Sequence, residues 1–414
     1  MSRNFSRSAA DKVLSQKFYL EKEWASRHSS LSKLGLGGDY EWISAVQKKF
    51  VGGGHASAVD VDAAVCIAEQ KDQVDDVLEL LYKTRHSLKA SEVAESSEYA
   101  IIRLLLKYNP EKIFTIANDA INYGIFLDEH SASIVIDHFI KENNIQGAAR
   151  IVSWVMQQED YDNELLNVLC LYVCAKWCEL PENEQTMPLL ESIDEEVNEE
   201  EIRTFKFPYL KNECFDEHFD LNNAHHLVGK SLLWISRASK SINDELKNNL
   251  QLLGAVFFEK LVTNYMYLET SLRLAAMVIK KLTPKEEDAH LSQTAQAVID
   301  KLKSNTVVAN SNLSTIILEH LEKIRVSEEA LLCEKQTKKF ESWNLRRHEL
   351  VKAQAEKVVL KMRKDEIIEE IRKLSQMDEQ IGFFKNRLKW EKRAAENEQI
   401  ERESRQRNST MLSS

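Results

Sequence analysis

Apolar helical stretches recur along the first half of this chain at a spacing of about 35 residues, and that repetition limits the fold more than any other feature. Residues 121–156 read INYGIFLDEHSASIVIDHFIKENNIQGAARIVSWVM. A tight corner, YGIFLD, is followed by an apolar run ending in Phe139 and Ile140, a polar KENN break, and a second apolar run beginning AARIV. The unit before it, SSEYAIIRLLLKYNPEKIFTIANDAINYGIFLD, again holds two such runs, split at Asn109-Pro110 and ending at Asp128. VDAAVCIAEQ with QVDDVLELLYKTRHS makes an earlier pair, and ELLNVLCLYVCAKW opens a later one. Asp128 and the Asp162/Asn163 pair mark equivalent places in successive units. Two helices per unit at this period predict stacked helical hairpins, each burying its apolar face against its neighbours.

The rest of the chain is read as helical too. Among 414 residues there are only 11 Gly and 5 Pro, and no Gly between Gly254 and Gly382, so the punctuation needed for strands and hairpins is missing. The expected fold class is all-α: a solenoid of stacked hairpins, then a helical domain, then a long charged C-terminal helix or coiled coil. The boundaries predicted are an extended, presequence-like segment at 1–55, hairpins at 56–180, an acidic linker at 181–208, a middle helical domain at 209–325, and a long helix with a disordered end at 326–414. No apolar run approaches the roughly 18 residues that span a bilayer, so a soluble chain without membrane contact is expected.

Residues that suggest chemistry are few. Cys170, Cys174 and Cys178 follow one another at i, i+4 and i+8, which lines three sulfurs along one helical face. Metal sites place cysteines two to four apart on turns, and no fourth ligand is near, so core packing is the reading. VGGGHAS at 51–57 has glycines but no following Lys-Ser/Thr and no preceding strand, and reads as a connector. LDEH at 127–130, FDEH at 215–218 and His225-His226 gather titratable groups without a second ligand pair one helical turn away. No reaction, cofactor, metal or small-molecule substrate is implied.

Charge is unevenly placed. The whole chain carries −11; Lys335–Ser414 holds 20 Lys and Arg against 14 Asp and Glu, a net of +6, which leaves −17 on Met1–Glu334. The acidic centre is ESIDEEVNEEE at 191–201, bracketed by Pro181, Pro188 and Pro208, and reads as a solvated linker that repels phosphates. In the basic tail, Leu360, Lys364, Ile367, Ile371, Leu374, Asp378, Ile381, Lys385 and Leu388 alternate by four and three, and six of the nine are apolar. That is the seam of a long helix or coiled coil. Arg346, Arg347, Lys361, Arg363 and Lys364, with Lys385, Arg387 and Lys389 beyond, are suited to neutralise phosphates; the other reading is a solvated helix whose charges pair with each other.

The corner GIFLD at 124–128, the first-helix string IVIDHFIK at 134–141 and the second-helix string AARIVSWVM at 148–156 resemble a pentatricopeptide repeat, with Leu127 where that repeat usually has Pro. Together with KTRHS, YGIF, DHFIK and VMQQE, and further on FPYLKNECFDEHF, HHLVGKSLLW and the Trp343-bearing tail, they resemble the pentatricopeptide-type proteins of the animal mitochondrial small ribosomal subunit. The resemblance implies a structural, non-enzymatic protein of the mitochondrial matrix that supports translation and contacts small-subunit ribosomal RNA and neighbouring ribosomal proteins. It puts Asp128, Ser133 and Asn163 (or Asp162) at positions that read bases in such repeats, while Arg103 and Lys107 suit phosphates better; shape and charge are expected to outweigh base reading. A free mitochondrial RNA-processing or translation factor and a protein-binding helical scaffold are the competing functions. MSRNFSRSAADKVLSQK fits a presequence, with Arg3, Arg7, Lys12 and Lys17 opposed only by Asp11, and Arg3–Ser6 resembles a matrix cleavage signal; an ordinary disordered terminus is the alternative.

Overall fold

The computed structural model describes residues 13–38, 40–88, 90–189, 221–258, 270–282 and 312–411, with six further positions between 296 and 307. The Arg3–Ser6 signal, the acidic run 191–201 and the FDEH string lie outside the described residues. Among the described ones the fold is helical, apart from a two-residue parallel pairing of Thr270–Ser271 with Thr306–Val307. Two compact units divide at Arg346/Arg347.

The first unit begins with short helices α1 (Glu21–Ala25), α2 (Arg27–Lys33) and α3 (Tyr40–Lys48). The described part of a segment expected to be extended is therefore folded: Phe18, Trp24, Leu31, Ile43 and Val46 are buried, which repays the entropy of ordering it. The hairpins follow as α4 (Ala58–Ile67) with α5 (Gln73–Arg85), α6 (Glu95–Tyr108) with α7 (Lys112–Asn118) and the one-turn α8 (Ala120–Tyr123), and α9 (Glu129–Lys141) with α10 (Ile145–Gln158). Next come α11 (Glu164–Cys178), α12 (Ala224–Ala238), α13 (Asp244–Phe257) and α14 (Leu272–Leu282). The first helices of successive hairpins, α4, α6, α9 and α11, start at residues 58, 95, 129 and 164, in steps of 37, 34 and 35. Each lies beside the next, while α7, α10 and α12 make the second layer, so the expected stack is present and continues through α12 and α13.

Local chemistry sets the helix starts. Ser57, Asn144, Asn163 and Asn243 each accept the backbone N–H three residues on, which satisfies a donor that the helix cannot. Asp128 does the same for Ser131, whose hydroxyl returns the favour to the Asp128 N–H, a closed capping box at the start of α9. The corner before it turns at Gly124, φ +64°, where a Cβ would meet the Arg85 side chain at 2.6 Å. The backbone of Leu127, in the same corner, is in use. Gln158 clamps it, accepting from the Leu127 N–H at 3.0 Å and donating to its carbonyl at 2.8 Å, and proline would delete the first bond.

Packing is tight where α12 meets α13. A Cβ on Gly229 would lie 2.5 Å from the Phe258 nitrogen and 2.8 Å from the Gly254 carbonyl oxygen, so the two helices approach to backbone contact. The turn between them is held by Glu164, which accepts from Ser239, Ser241 and the Lys240 backbone. Cys170, Cys174 and Cys178 lie in α11, which is buried nearly all round, and burial pushes all three thiols up. They pack as core side chains.

The last helix, α15, runs from Leu313 to Met411, and the boundary between the units falls within it. In the first unit its residues Leu313, Ile317, Leu321, Leu332, Phe340 and Trp343 are buried. In the second unit the seam residues Leu360, Ile367, Ile371, Leu374, Ile381 and Leu388 are all exposed.

Candidate nucleic-acid interface

In a stack of this kind the first helices share one face, and base-reading side chains would stand on it. Here that face belongs to the chain itself. Residues 13–24 and the opening third of α15 both lie on α6 and α9. Asp137, fully buried in α9, accepts the Leu14 N–H at 3.2 Å, the Tyr19 hydroxyl at 2.5 Å and the Lys141 ammonium at 2.5 Å. His130, also fully buried, donates from Nε2 to the Phe18 carbonyl at 2.8 Å and accepts at Nδ1 from the Tyr99 hydroxyl at 3.1 Å. Burial holds its pKa down to about 4, so the neutral ring is the one that makes both bonds. Trp24, Tyr99, Phe340 and Trp343 form one aromatic cluster with ring centroids 4.9–5.6 Å apart.

α15 adds charge to this seal. Lys335 pairs with the buried Glu129 at 2.5 Å, Lys339 reaches Asp128 at 3.4 Å, and Glu329 accepts the Ser15 N–H at 3.0 Å. Pairs of this type across a half-buried boundary fix register more than they add stability.

The residues read from the sequence as RNA contacts separate into two groups. Arg103 is engaged internally: it donates to the Tyr19 carbonyl at 2.7 Å, the Tyr99 hydroxyl at 3.1 Å and Glu21 at 2.6 Å, and lies over the Trp24 ring. Asp128 and Asn163 are helix caps. Ser133 is fully buried and donates to the Glu129 carbonyl, so it presents nothing to a base. Arg347, grouped with Arg346 as a phosphate contact, is only 4% exposed. The remaining ones, Lys107, Arg346, Lys361, Arg363 and Lys364, are exposed. Lys107 shares a cavity of about 360 Å³ with Arg103, Arg27, Glu21 and Glu69, whose other cations are tied in ion pairs at 3.0 Å (Arg27–Glu69) and 2.6 Å (Arg103–Glu21).

Sequence reasoning missed the closing network of Phe18, Tyr19, Tyr99, His130 and Asp137. A buried His and Asp on one first helix were its only outward signal, and nothing local says that residues 13–24 would answer them. No described helix is long and apolar enough to cross a membrane, and no cluster of metal-ligating side chains occurs among the described residues.

Fold and face together define an all-α helical-repeat protein that covers the α6 and α9 part of its own first-helix face. The family model of mitochondrial 28S ribosomal protein S27 matches residues 1–373, and the chain belongs to that family. It is thereby a protein of the mitochondrial small ribosomal subunit.

Proposed function

We propose that this protein is a structural, non-enzymatic component of the mitochondrial small subunit, lying in the matrix against ribosomal RNA and neighbouring ribosomal proteins and supporting translation. Its hairpins are pentatricopeptide-like in period and corner but are not used to read bases. The observation that carries this is the covered face of α6 and α9: Asp128 and Ser133, which would read bases, are respectively a helix cap and a buried core hydroxyl. RNA attachment then falls to exposed cations, Arg346, Lys361, Arg363 and Lys364 foremost, which hold phosphates without regard to sequence. A free RNA-processing factor needs the covered face open, and the packing disfavours it.

The test is sedimentation of a mitochondrial lysate at physiological salt. The expected result is that most of the protein migrates with the small subunit. Recovery at the top of the gradient overturns the reading.

A further inference from the structure

Beyond the cations, α15 carries a feature that phosphates do not explain. Ile367, Leu374, Ile381 and Leu388 recur every seven residues with Ile371 among them, and all five are between 48 and 83% exposed. Ile368 widens the column on one flank, Met377 and Phe384 on the other, again exposed. From Ile367 to Leu388 the column is about 32 Å long at 1.5 Å per residue, three heptads of helix. Of these eight side chains only Phe384, on the flank, offers a base a ring to stack on. Arg372, on the same stretch, is already paired with Glu369.

Two charges interrupt the column, Asp378 and Lys385, both exposed and neither in an ion pair among the described residues. They decide what covers it. A second copy aligned in parallel sets Asp378 against Asp378 and Lys385 against Lys385. An antiparallel copy that keeps Ile371 against Leu374 sets Asp378 against Ile367 and Lys385 against Leu360. Either arrangement buries charge without an opposite partner, which a coiled-coil interior tolerates poorly.

We propose that Ile367–Leu388 is the docking face for one amphipathic helix of a different protein. That helix carries an apolar 4-3 seam, a Lys or Arg level with Asp378 and an Asp or Glu level with Lys385. That this protein is a neighbour in the small subunit rests on the functional reading above; the docking face itself does not.

The experiment places p-benzoyl-phenylalanine at Leu374 in the full-length chain, with Gln376, two positions off the seam, as control. Mitochondria are irradiated and fractionated, and crosslinked peptides are sequenced from whichever fraction holds the chain. Expected is a crosslink from position 374, absent from 376, into a heptad-patterned segment of one other protein with the stated charges. Asp378→Lys should then lower its yield at least five-fold. A crosslink to ribosomal RNA, to a second copy of this chain or to its own residues overturns the proposal, as does no crosslink at 374 or indifference to Asp378→Lys. Migration of the chain away from the small subunit overturns only the functional reading, since the crosslinks are read in either fraction.

Discussion

The imidazole of His130 stacks on the ring of Phe18 with centroids 4.6 Å apart, and its Nε2–H meets the Phe18 carbonyl oxygen at 2.8 Å. These residues are 112 positions apart in the chain. Through this contact the segment before α1 is fastened to α9, and through Tyr99 and Arg103 to α6. The polar side chains of Tyr99, His130 and Asp137 are thereby satisfied internally, and leaving any one of them unpaired costs more than the bond itself contributes.

His130 makes the fastening sensitive to acid. Burial lowers its pKa from 6.5 to about 4, so the stability it confers is whole above pH 6.5 and is lost as pH falls towards 4. The shift bounds the effect at about 3 kcal/mol. Melting temperatures from pH 7.5 to 4 should fall more steeply for the natural protein than for His130→Gln; parallel curves would refute a titrating His130.

Glu98 behaves in the opposite sense. Burial, with the like charges of Glu95 and Asp128, raises its pKa from 4.5 to about 7, against the bond it accepts from the Phe126 N–H. Stability is complete below pH 4.5 and declines as pH rises through 7, where the buried group ionises. Glu98→Gln keeps the acceptor and should stabilise the protein by about 1–3 kcal/mol at pH 8 and hardly at all at pH 4.5. Chemical denaturation at the two pH values distinguishes this from a pH-independent packing change.

Leu127→Pro should destabilise. It removes the N–H held by Gln158 and leaves that half-buried oxygen without its donor, costing about 1–3 kcal/mol. Asp128→Ala should cost about 0.5–2 kcal/mol through the lost cap. A thermal melt of Leu127→Pro at or above the natural value would mean that the Gln158 clamp contributes nothing.

Attachment to RNA should respond to the exposed cations and not to the covered face. Reversing Arg346, Lys361, Arg363 and Lys364 to Glu removes up to four phosphate contacts, worth a change of about 3 to 4 in the slope of log affinity against log salt. Ser133→Ala should leave binding to every RNA sequence alike. Filter binding at two salt concentrations measures both. A sequence-dependent loss from Ser133→Ala, with none from the charge reversal, would put the RNA surface on the hairpins.

What was legible in the sequence was whatever repeats locally. Helix periodicity, the Asn and Asp caps and the 35-residue spacing each depend on neighbours within a few positions, and α4, α6, α9 and α11 begin where that spacing places them. The seam of α15 was legible for the same reason. Which polar residues face solvent was not. Arg103 and Ser133 look available in the chain, but Tyr19 lies 84 residues before Arg103, and Lys335 lies 206 after the Glu129 that shares the face with Ser133. Only the tertiary structure brings these segments onto α6 and α9, because covering a face is decided by the burial of Phe18, Trp24, Phe340 and Trp343 together, and no local pattern records a contact made by four distant side chains at once.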